Sequence, residues 1–235
     1  MRHVRILAAF GLLVAAAAAN AQVSSTVTLT SDYDFRGFSQ SATDPAIQAS
    51  LDYAHESGWY VGAWASNVDF GDADVDYEVD LYTGFSGGAE DGLGWDVGLV
   101  YYTYPDESDF NYVEAYGSVS YSWFKGKLWY SPDFGGDATE GNTPAIYIEG
   151  NATFPLPENF SIQLHAGLST GDYWDDVNGD DVIDYSAGIG YELSHFNLTL
   201  KWVDTSSDVT VTDDVFNNEG RVIFTVATTF PWSNE

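Results

Sequence analysis

The sequence Asp-Tyr-Glu-Val-Asp-Leu-Tyr-Thr-Gly-Phe-Ser, at residues 76–86, alternates between two kinds of side chain. One set of alternate positions is apolar with an aromatic ring at each end, namely Tyr77, Val79, Leu81, Thr83 and Phe85. The other set carries carboxylates, including Glu78 and Asp80. Because successive side chains leave a β-strand on opposite faces, this period of two predicts a strand with one apolar and one acidic face.

The same alternation recurs along the chain and predicts about twelve strands. The predicted strands are residues 23–35, 46–55, 59–68, 76–86, 95–104, 112–123, 127–134, 143–154, 160–170, 182–192, 196–204 and 220–230. The connections alternate between long loops, such as 36–45, and short turns, such as 124–126. An even strand number with long loops at one end and short turns at the other is typical of outer-membrane barrels. The sequence therefore predicts an all-β fold, a transmembrane antiparallel up-and-down β-barrel of about 12 strands.

The distribution of charge along these strands favours a barrel whose apolar face meets lipid. Segment 59–68 is apolar on both faces, so its sidedness is not predicted. In the other strands no apolar-face position carries a charge, and a charge facing mid-bilayer is costly. Aromatic residues lie at both ends of the apolar faces, as two interfacial belts would require. A soluble secreted β protein is the less favoured alternative.

The overall composition excludes several classes of protein. The chain has 235 residues, no Cys and a formal net charge of −29. Such acidity argues against nucleic-acid binding, which needs clustered Lys and Arg, and the missing Cys excludes a disulfide framework. The predicted partners are instead outer-membrane lipid and lipopolysaccharide, with small solutes or ions, and the sequence calls for no cofactor.

The N-terminal segment has the organisation of a secretory signal peptide. Arg2 and Arg5 precede an apolar run, and Ala19-Asn20-Ala21 is a small-x-small cleavage site. The run is shorter than the about 20 residues that a spanning helix needs. We therefore assign residues 1–21 to a signal peptide and 22–235 to an outer-membrane β-barrel, which places the protein in the Gram-negative outer membrane.

Two blocks carry a resemblance to a known family. Residues 33–40 read Tyr-Asp-Phe-Arg-Gly-Phe-Ser-Gln, and residues 58–70 read Gly-Trp-Tyr-Val-Gly-Ala-Trp-Ala-Ser-Asn-Val-Asp-Phe. Together with Val203-Asp204-Thr205, they make the sequence similar to the TorF family of porin-like proteobacterial proteins over essentially the whole mature chain. The resemblance implies an outer-membrane channel and supplies neither a substrate nor functional residues.

The predicted inward face supplies the candidate pore-lining residues. They are Asp32, Asp34, Arg36, Asp52, Glu78, Asp80, Asp96, Glu114, Glu149, His165, Asp184, Glu192, Lys201 and Arg221. Lys127 lies on the same face. Rings of carboxylates in a pore favour cations, so we expect a porin-like channel for passive diffusion of small solutes with a preference for cations. The alternative is that these groups pair and fill the lumen, since eight-stranded barrels are filled and 16-stranded ones are open.

The sequence also contains partial patterns of two other kinds of site. Asp176, Asn178 and Asp180 have the spacing that begins a calcium loop, but Asp181 stands where Gly is expected and Ala187 where Glu is needed, which favours a solvated loop. Some barrels of this size are lipid hydrolases, which need a Ser–His pair. His165 is the one strand-interior histidine of the mature chain and falls on the inward face, so we expect no enzyme. An adhesive or structural barrel without a conducting pore is a further alternative.

Overall fold

A computed structural model describes residues 22–73, 75–89, 92–139, 142–209 and 211–232 of the chain. Its strands are β1 (Gln22–Thr30), β2 (Asp34–Phe35), β3 (Phe38–Ser39), β4 (Ala46–Ala54), β5 (Trp59–Asn67), β6 (Tyr77–Gly88), β7 (Gly94–Thr103), β8 (Tyr112–Tyr121), β9 (Phe124–Ser131), β10 (Ala145–Pro155), β11 (Phe160–Thr170), β12 (Val182–Leu193), β13 (Phe196–Thr205) and β14 (Arg221–Phe230). All but β2 and β3 form one closed barrel. The predicted signal peptide lies outside the described residues.

Every barrel strand is antiparallel to its neighbours, and β14 closes the barrel by pairing with β1. The closing register sets Thr26 opposite Thr229, and their hydroxyl oxygens are 2.9 Å apart. The predicted antiparallel up-and-down barrel of about twelve strands is confirmed. Closure leaves no sheet edge, so the backbone groups of the strands are satisfied within the sheet.

Strand β6 shows how the alternating sequence is used. Tyr77, Leu81 and Phe85 face outward and are about half exposed, whereas Glu78 and Asp80 face inward and are buried. The other strands follow the same rule, so large apolar side chains cover the outside of the barrel. A soluble sandwich would bury this face between two sheets, and the closed barrel contains no second layer to cover it.

The sidedness of β5 is decided by what its aromatic residues touch. Tyr60 faces inward and is buried, while Trp59 and Val61 face outward. Trp64 also lies on the inward face, with its ring centroid 5.4 Å from that of Tyr33. Inward-facing rings were indistinguishable from lipid-facing ones by sequence because both are apolar.

The predicted boundaries of two strands were wrong by three residues or more. The first strand ends at Thr30 instead of residue 35, so Asp32 and Asp34 do not belong to the barrel wall. The turn expected at 124–126 is a two-residue turn at Ser122 and Trp123, and Phe124 already pairs with Tyr121. Ser122 has a positive φ of 53°, which lets the chain reverse in two residues.

The six long connections lie together at one end of the barrel and the five short turns at the other. One long connection contains the six-residue helix α1 (Asp172–Val177). Short 3₁₀ turns lie in three others, at Gly71–Ala73, Ser108–Phe110 and Gly136–Ala138. No helix in the described residues is long and apolar enough to cross a membrane.

Candidate functional site

The first long connection, residues 31–45, folds into the barrel, and we call it the plug. Its centre is the β2–β3 hairpin, in which Phe35 pairs with Phe38 around Arg36 and Gly37. Tyr33, Arg36, Ser39 and Ser41 are buried. The sequence predicted a long polar loop at residues 36–45, and the structure shows that the whole connection occupies the lumen near the long-loop end.

Arg36 joins the plug to one wall of the barrel. Its Nη2 donates to Glu114 Oε2 on β8 at 2.6 Å, and both side chains are almost fully buried. Tyr102 donates a second hydrogen bond to the same oxygen at 3.0 Å. Burial lowers the pKa of Arg36, whereas the Glu114 carboxylate raises it. The net result is a pKa of Arg36 above its usual value. The guanidinium is therefore charged at any physiological pH.

Aromatic rings surround the same guanidinium. Its Cζ lies 4.4 Å from the ring centroid of Tyr147, 4.7 Å from Phe35, 5.5 Å from Phe134 and 5.6 Å from Trp129. Such contacts strengthen when the cation is removed from water. The three rings that lie outside the plug, those of Tyr147, Phe134 and Trp129, therefore help to hold it in place.

The opposite wall holds the plug through two cations of the last strands. Arg221 donates from Nε to Asp32 Oδ2 at 2.5 Å and from Nη2 to Asp34 Oδ1 at 3.0 Å. Lys201 Nζ lies 3.0 Å from Asp34 Oδ2. The plug therefore spans the lumen, with a cation facing one wall and two carboxylates facing the other.

Close backbone contacts complete this fit. Ser39 N–H donates to Asn217 C=O at 2.8 Å, and Arg221 Nη1 donates to Gly37 C=O at 2.9 Å. Gly37 has a φ of +89°, and a Cβ there would collide with Thr205 and lie 2.9 Å from Asp184 Cβ. Only glycine combines that backbone conformation with this approach to the wall.

An aromatic cluster fills the lumen around the plug at the long-loop end. Its buried members are Tyr33, Ala46, Val68, Phe70, Val75, Val100, Tyr102, Tyr104, Tyr112, Phe134, Ala145, Trp174 and Val182. Trp174 of α1 stacks on Phe38 of the plug with ring centroids 5.5 Å apart. We call this part of the lumen the outer half. It is packed like the core of a soluble domain.

Four carboxylates of the barrel wall lie buried in the outer half, on Glu78, Asp80, Glu114 and Asp184. Each has one oxygen without a hydrogen-bond partner in the described structure. Tyr104 donates to the other oxygen of Glu78 at 3.3 Å. Among the described residues no group of three or more His, Cys, Asp or Glu is arranged to hold a metal ion.

The part of the lumen nearer the short turns, which we call the short-turn half, is polar and partly exposed. Tyr60 donates to Asp96 Oδ1 at 2.7 Å and also contacts the Tyr116 hydroxyl. Tyr82 donates to Asp52 in the same way. These contacts link strands that are not adjacent in the sheet, so the tyrosine side chains extend past the intervening strands inside the lumen.

His165 forms the other polar network of the lumen. Its Nε2 lies 2.7 Å from Asp184 Oδ1 and 3.0 Å from the Tyr147 hydroxyl, and its Nδ1 lies 2.9 Å from Asn151 Oδ1. Both ring nitrogens are therefore engaged. No serine hydroxyl of the described chain is hydrogen-bonded to this ring, so the arrangement gives no support to a Ser–His nucleophile.

The predicted pore-lining residues fall into three groups. Asp32, Asp34 and Arg36 belong to the plug, and Glu78, Asp80, Glu114, Asp184 and Arg221 line the outer half. Asp52, Asp96, Glu149, His165, Glu192 and Lys201 are half-buried nearer the short turns. Sequence reasoning did not single out Tyr60, Tyr82, Tyr116 or Trp129, because an aromatic residue on a polar face gives no sign of its partners.

The calcium-loop candidate gains no support from its surroundings. Asp176 lies within α1, and Asn178 Oδ1 accepts a hydrogen bond from Ser207 at 2.6 Å. Asn178 Nδ2 in turn donates to the Asp180 backbone oxygen at 3.2 Å. These contacts are those of an ordinary polar loop.

Solved structures with a similar fold are outer-membrane porins. The NanC porin is 10% identical, with a TM-score of 0.56, and the match covers 89% of this chain and all of that one. The KdgM porin is 7% identical, with a TM-score of 0.54, over 90% of this chain and 99% of the other. At such identities the likeness shows the barrel fold alone.

Comparison of the sequence with known families and proteins gives a complementary result. None of the curated proteins matches the chain significantly. A family model does match, over residues 14–230, and therefore covers most of the chain, including the plug and all twelve barrel strands. The chain belongs to Gcw_chp, a family of bacterial proteins of unknown function.

Proposed function

We propose that this protein is an outer-membrane, porin-like channel of the TorF type that passes small solutes, prefers cations and is narrowed by its plug. The fold of NanC and KdgM supports the porin-like part of this proposal. The apolar outer surface supports a membrane location, because a contiguous exposed apolar band of this size needs lipid to cover it. The signal peptide predicted at residues 1–21 provides the export route.

The balance of charge inside the barrel is the observation that supports a preference for cations. The Lys and Arg side chains of the described residues, Arg36, Lys125, Lys127, Lys201 and Arg221, all belong to the plug or the inward face. Ten predicted pore-lining residues are carboxylates, twice the number of these cations. An excess of carboxylates lowers the energy of a cation in the lumen and raises that of an anion.

The same charge balance argues against an anionic solute. KdgM has also been solved in complex with disordered oligogalacturonate, which is a chain of carboxylate-bearing sugars. A polyanion entering the lumen of this chain would meet Asp52, Asp96 and Glu149 in the short-turn half. We therefore do not extend that ligand class to this protein.

Reversal potentials across a planar bilayer under a KCl gradient test the proposal. We expect a reversal potential with the sign of cation selectivity. Asp96→Asn, which removes a carboxylate charge from the lumen, should make this potential smaller. Glu56→Gln, at an exposed position in a short turn, is the matched control and leaves the potential unchanged. Anion selectivity of the native protein would overturn the cation preference.

A closed structural barrel is the second candidate, and the packed outer half favours it. The plug is bound to both walls, and aromatic rings fill the space around it. On this alternative neither the native protein nor a variant without the plug conducts ions. On the channel proposal, removal of the plug increases the current.

A further inference from the structure

Lys127 lies in an unusual environment for a lysine of the lumen. Its Nζ is 3.6 Å from the ring centroid of Tyr116 and 3.6 Å from that of Trp129. In the described part of the chain, no carboxylate forms an ion pair with it. The ammonium group is therefore held chiefly by two aromatic faces.

These two rings form a preformed cleft. Their centroids are 4.8 Å apart and their planes are inclined by 50°, so the two faces converge on the ammonium group. Trp129 Nε1 donates to Glu149 Oε1 at 2.9 Å, which fixes the indole and enriches its face in electron density. On the other side, the Tyr116 hydroxyl contacts Tyr60, which is bonded to Asp96. Each ring is thus tied to a carboxylate.

The geometry points to a binding site for alkylammonium ions between Tyr116 and Trp129, in which Lys127 is a tethered occupant that an entering ammonium displaces. We call this cleft the aromatic cage. The aromatic cage would make alkylammonium ions a solute class of the channel. This inference rests on the proposed function, because a solute must be able to enter the lumen.

The chemistry of the cage selects its ligand. Two aromatic faces attract a diffuse organic cation, whereas Ca²⁺ and Mg²⁺ require six or more oxygen ligands, which the rings do not provide. The carboxylates of Asp96 and Glu149 repel anions. A neutral molecule of the same shape would gain the apolar contact but lose the attraction between charge and ring.

Titration calorimetry on the detergent-purified full-length protein measures this site without requiring ion conduction. Choline is the probe, and 3,3-dimethylbutan-1-ol, in which carbon replaces the ammonium nitrogen, is its neutral control. Lys127→Met removes the ammonium group that competes for the cage, and we expect choline to bind about tenfold more tightly than to the native protein. The neutral analogue gains little. Replacing Trp129 by Leu in the same background removes the gain.

Lys125→Met is the matched control, because Lys125 lies on the same face of β9, two residues nearer the short turns. It removes the same charge from the lumen and leaves the cage occupied. An equal gain in choline affinity for both variants, or equal binding of the neutral analogue, would overturn the proposal. If Lys127→Met does not show the heat-modifiable mobility of the folded barrel, Lys127→Gln is used with the same expectations. Reversal potentials in KCl are measured separately, so a failed cation preference is distinguished from a failed cage.

Discussion

The two halves of the lumen are built from the same alternating strands but have different physical character. In the outer half, the plug and an aromatic cluster bury Glu114, Arg36 and Ser39 almost completely. In the short-turn half, inward residues such as Asp96 and Lys127 are only half-buried. The difference arises from the plug, residues 31–45, which enters the barrel instead of lying over its mouth, and from side chains of other long connections that pack around it. An inward-facing position is therefore shielded from water or accessible to it according to whether these connections cover it.

Removing the plug should have the largest effect on this contrast. If residues 34–39 are replaced by a Gly/Ser segment of equal length, the ion pairs that Arg36 and Asp34 make with β8, β13 and β14 are lost and water enters the outer half. We expect single-channel conductance in planar bilayers to rise several-fold. A Gly/Ser replacement of residues 156–159, in a short turn, should leave conductance near the native value. Equal conductance of all three proteins would show that the plug does not limit permeation.

Breaking the ion pair that joins the plug to β8 should have the next largest effect. Arg36→Met leaves the Glu114 carboxylate buried without its charged partner, which costs about 3–5 kcal/mol of unfolding free energy. The double variant Arg36→Met with Glu114→Gln should regain most of this loss, since no unpaired charge remains. Urea unfolding in lipid vesicles measures both.

Lys201→Met is the control for that pair in the more exposed region. Its contact with Asp34 is 3.0 Å long, but the lysine side chain keeps 30% of its exposure. We expect a loss of about 1 kcal/mol or less, because Arg221 still pairs with the Asp34 carboxylate and the lysine is already partly solvated in the native protein. A loss as large as that of Arg36→Met would contradict the distinction between the two halves.

The smallest expected effect is the difference in unfolding free energy between losing one hydroxyl in the outer half and losing one in the half-buried region. Ser39 Oγ donates to Asp32 Oδ1 at 2.5 Å and accepts from Thr43 N–H at 2.8 Å, in a fully buried site. Ser39→Ala should therefore cost about 1–3 kcal/mol, because those groups lose a partner that water cannot replace. Thr26→Val removes the contact with Thr229 in the half-buried region and should cost about 0.5 kcal/mol or less. The same urea titrations distinguish the two, and equal losses would show that water reaches both sites.

The sequence by itself determined the barrel. Alternation in segments such as 76–86 assigns Leu81 to the outside and Glu78 to the inside, because a strand has only two faces. The strict order of long and short connections determined the antiparallel topology and the even number of strands. These features depend on contacts between residues close in sequence or on adjacent strands, so a local pattern carries them.

Only the tertiary structure decided what fills the barrel. Asp32, Tyr33 and Asp34 continue the strand pattern of residues 23–30, and nothing in their spacing shows that the chain leaves the wall after Thr30. Arg36 finds Glu114 and Arg221 finds Asp32 across 78 and 189 residues of sequence, respectively. The inward face of β5 likewise became clear only when Trp64 was seen beside Tyr33. Such pairings depend on the closed shape of the barrel, which brings distant residues together without leaving a local periodic signal.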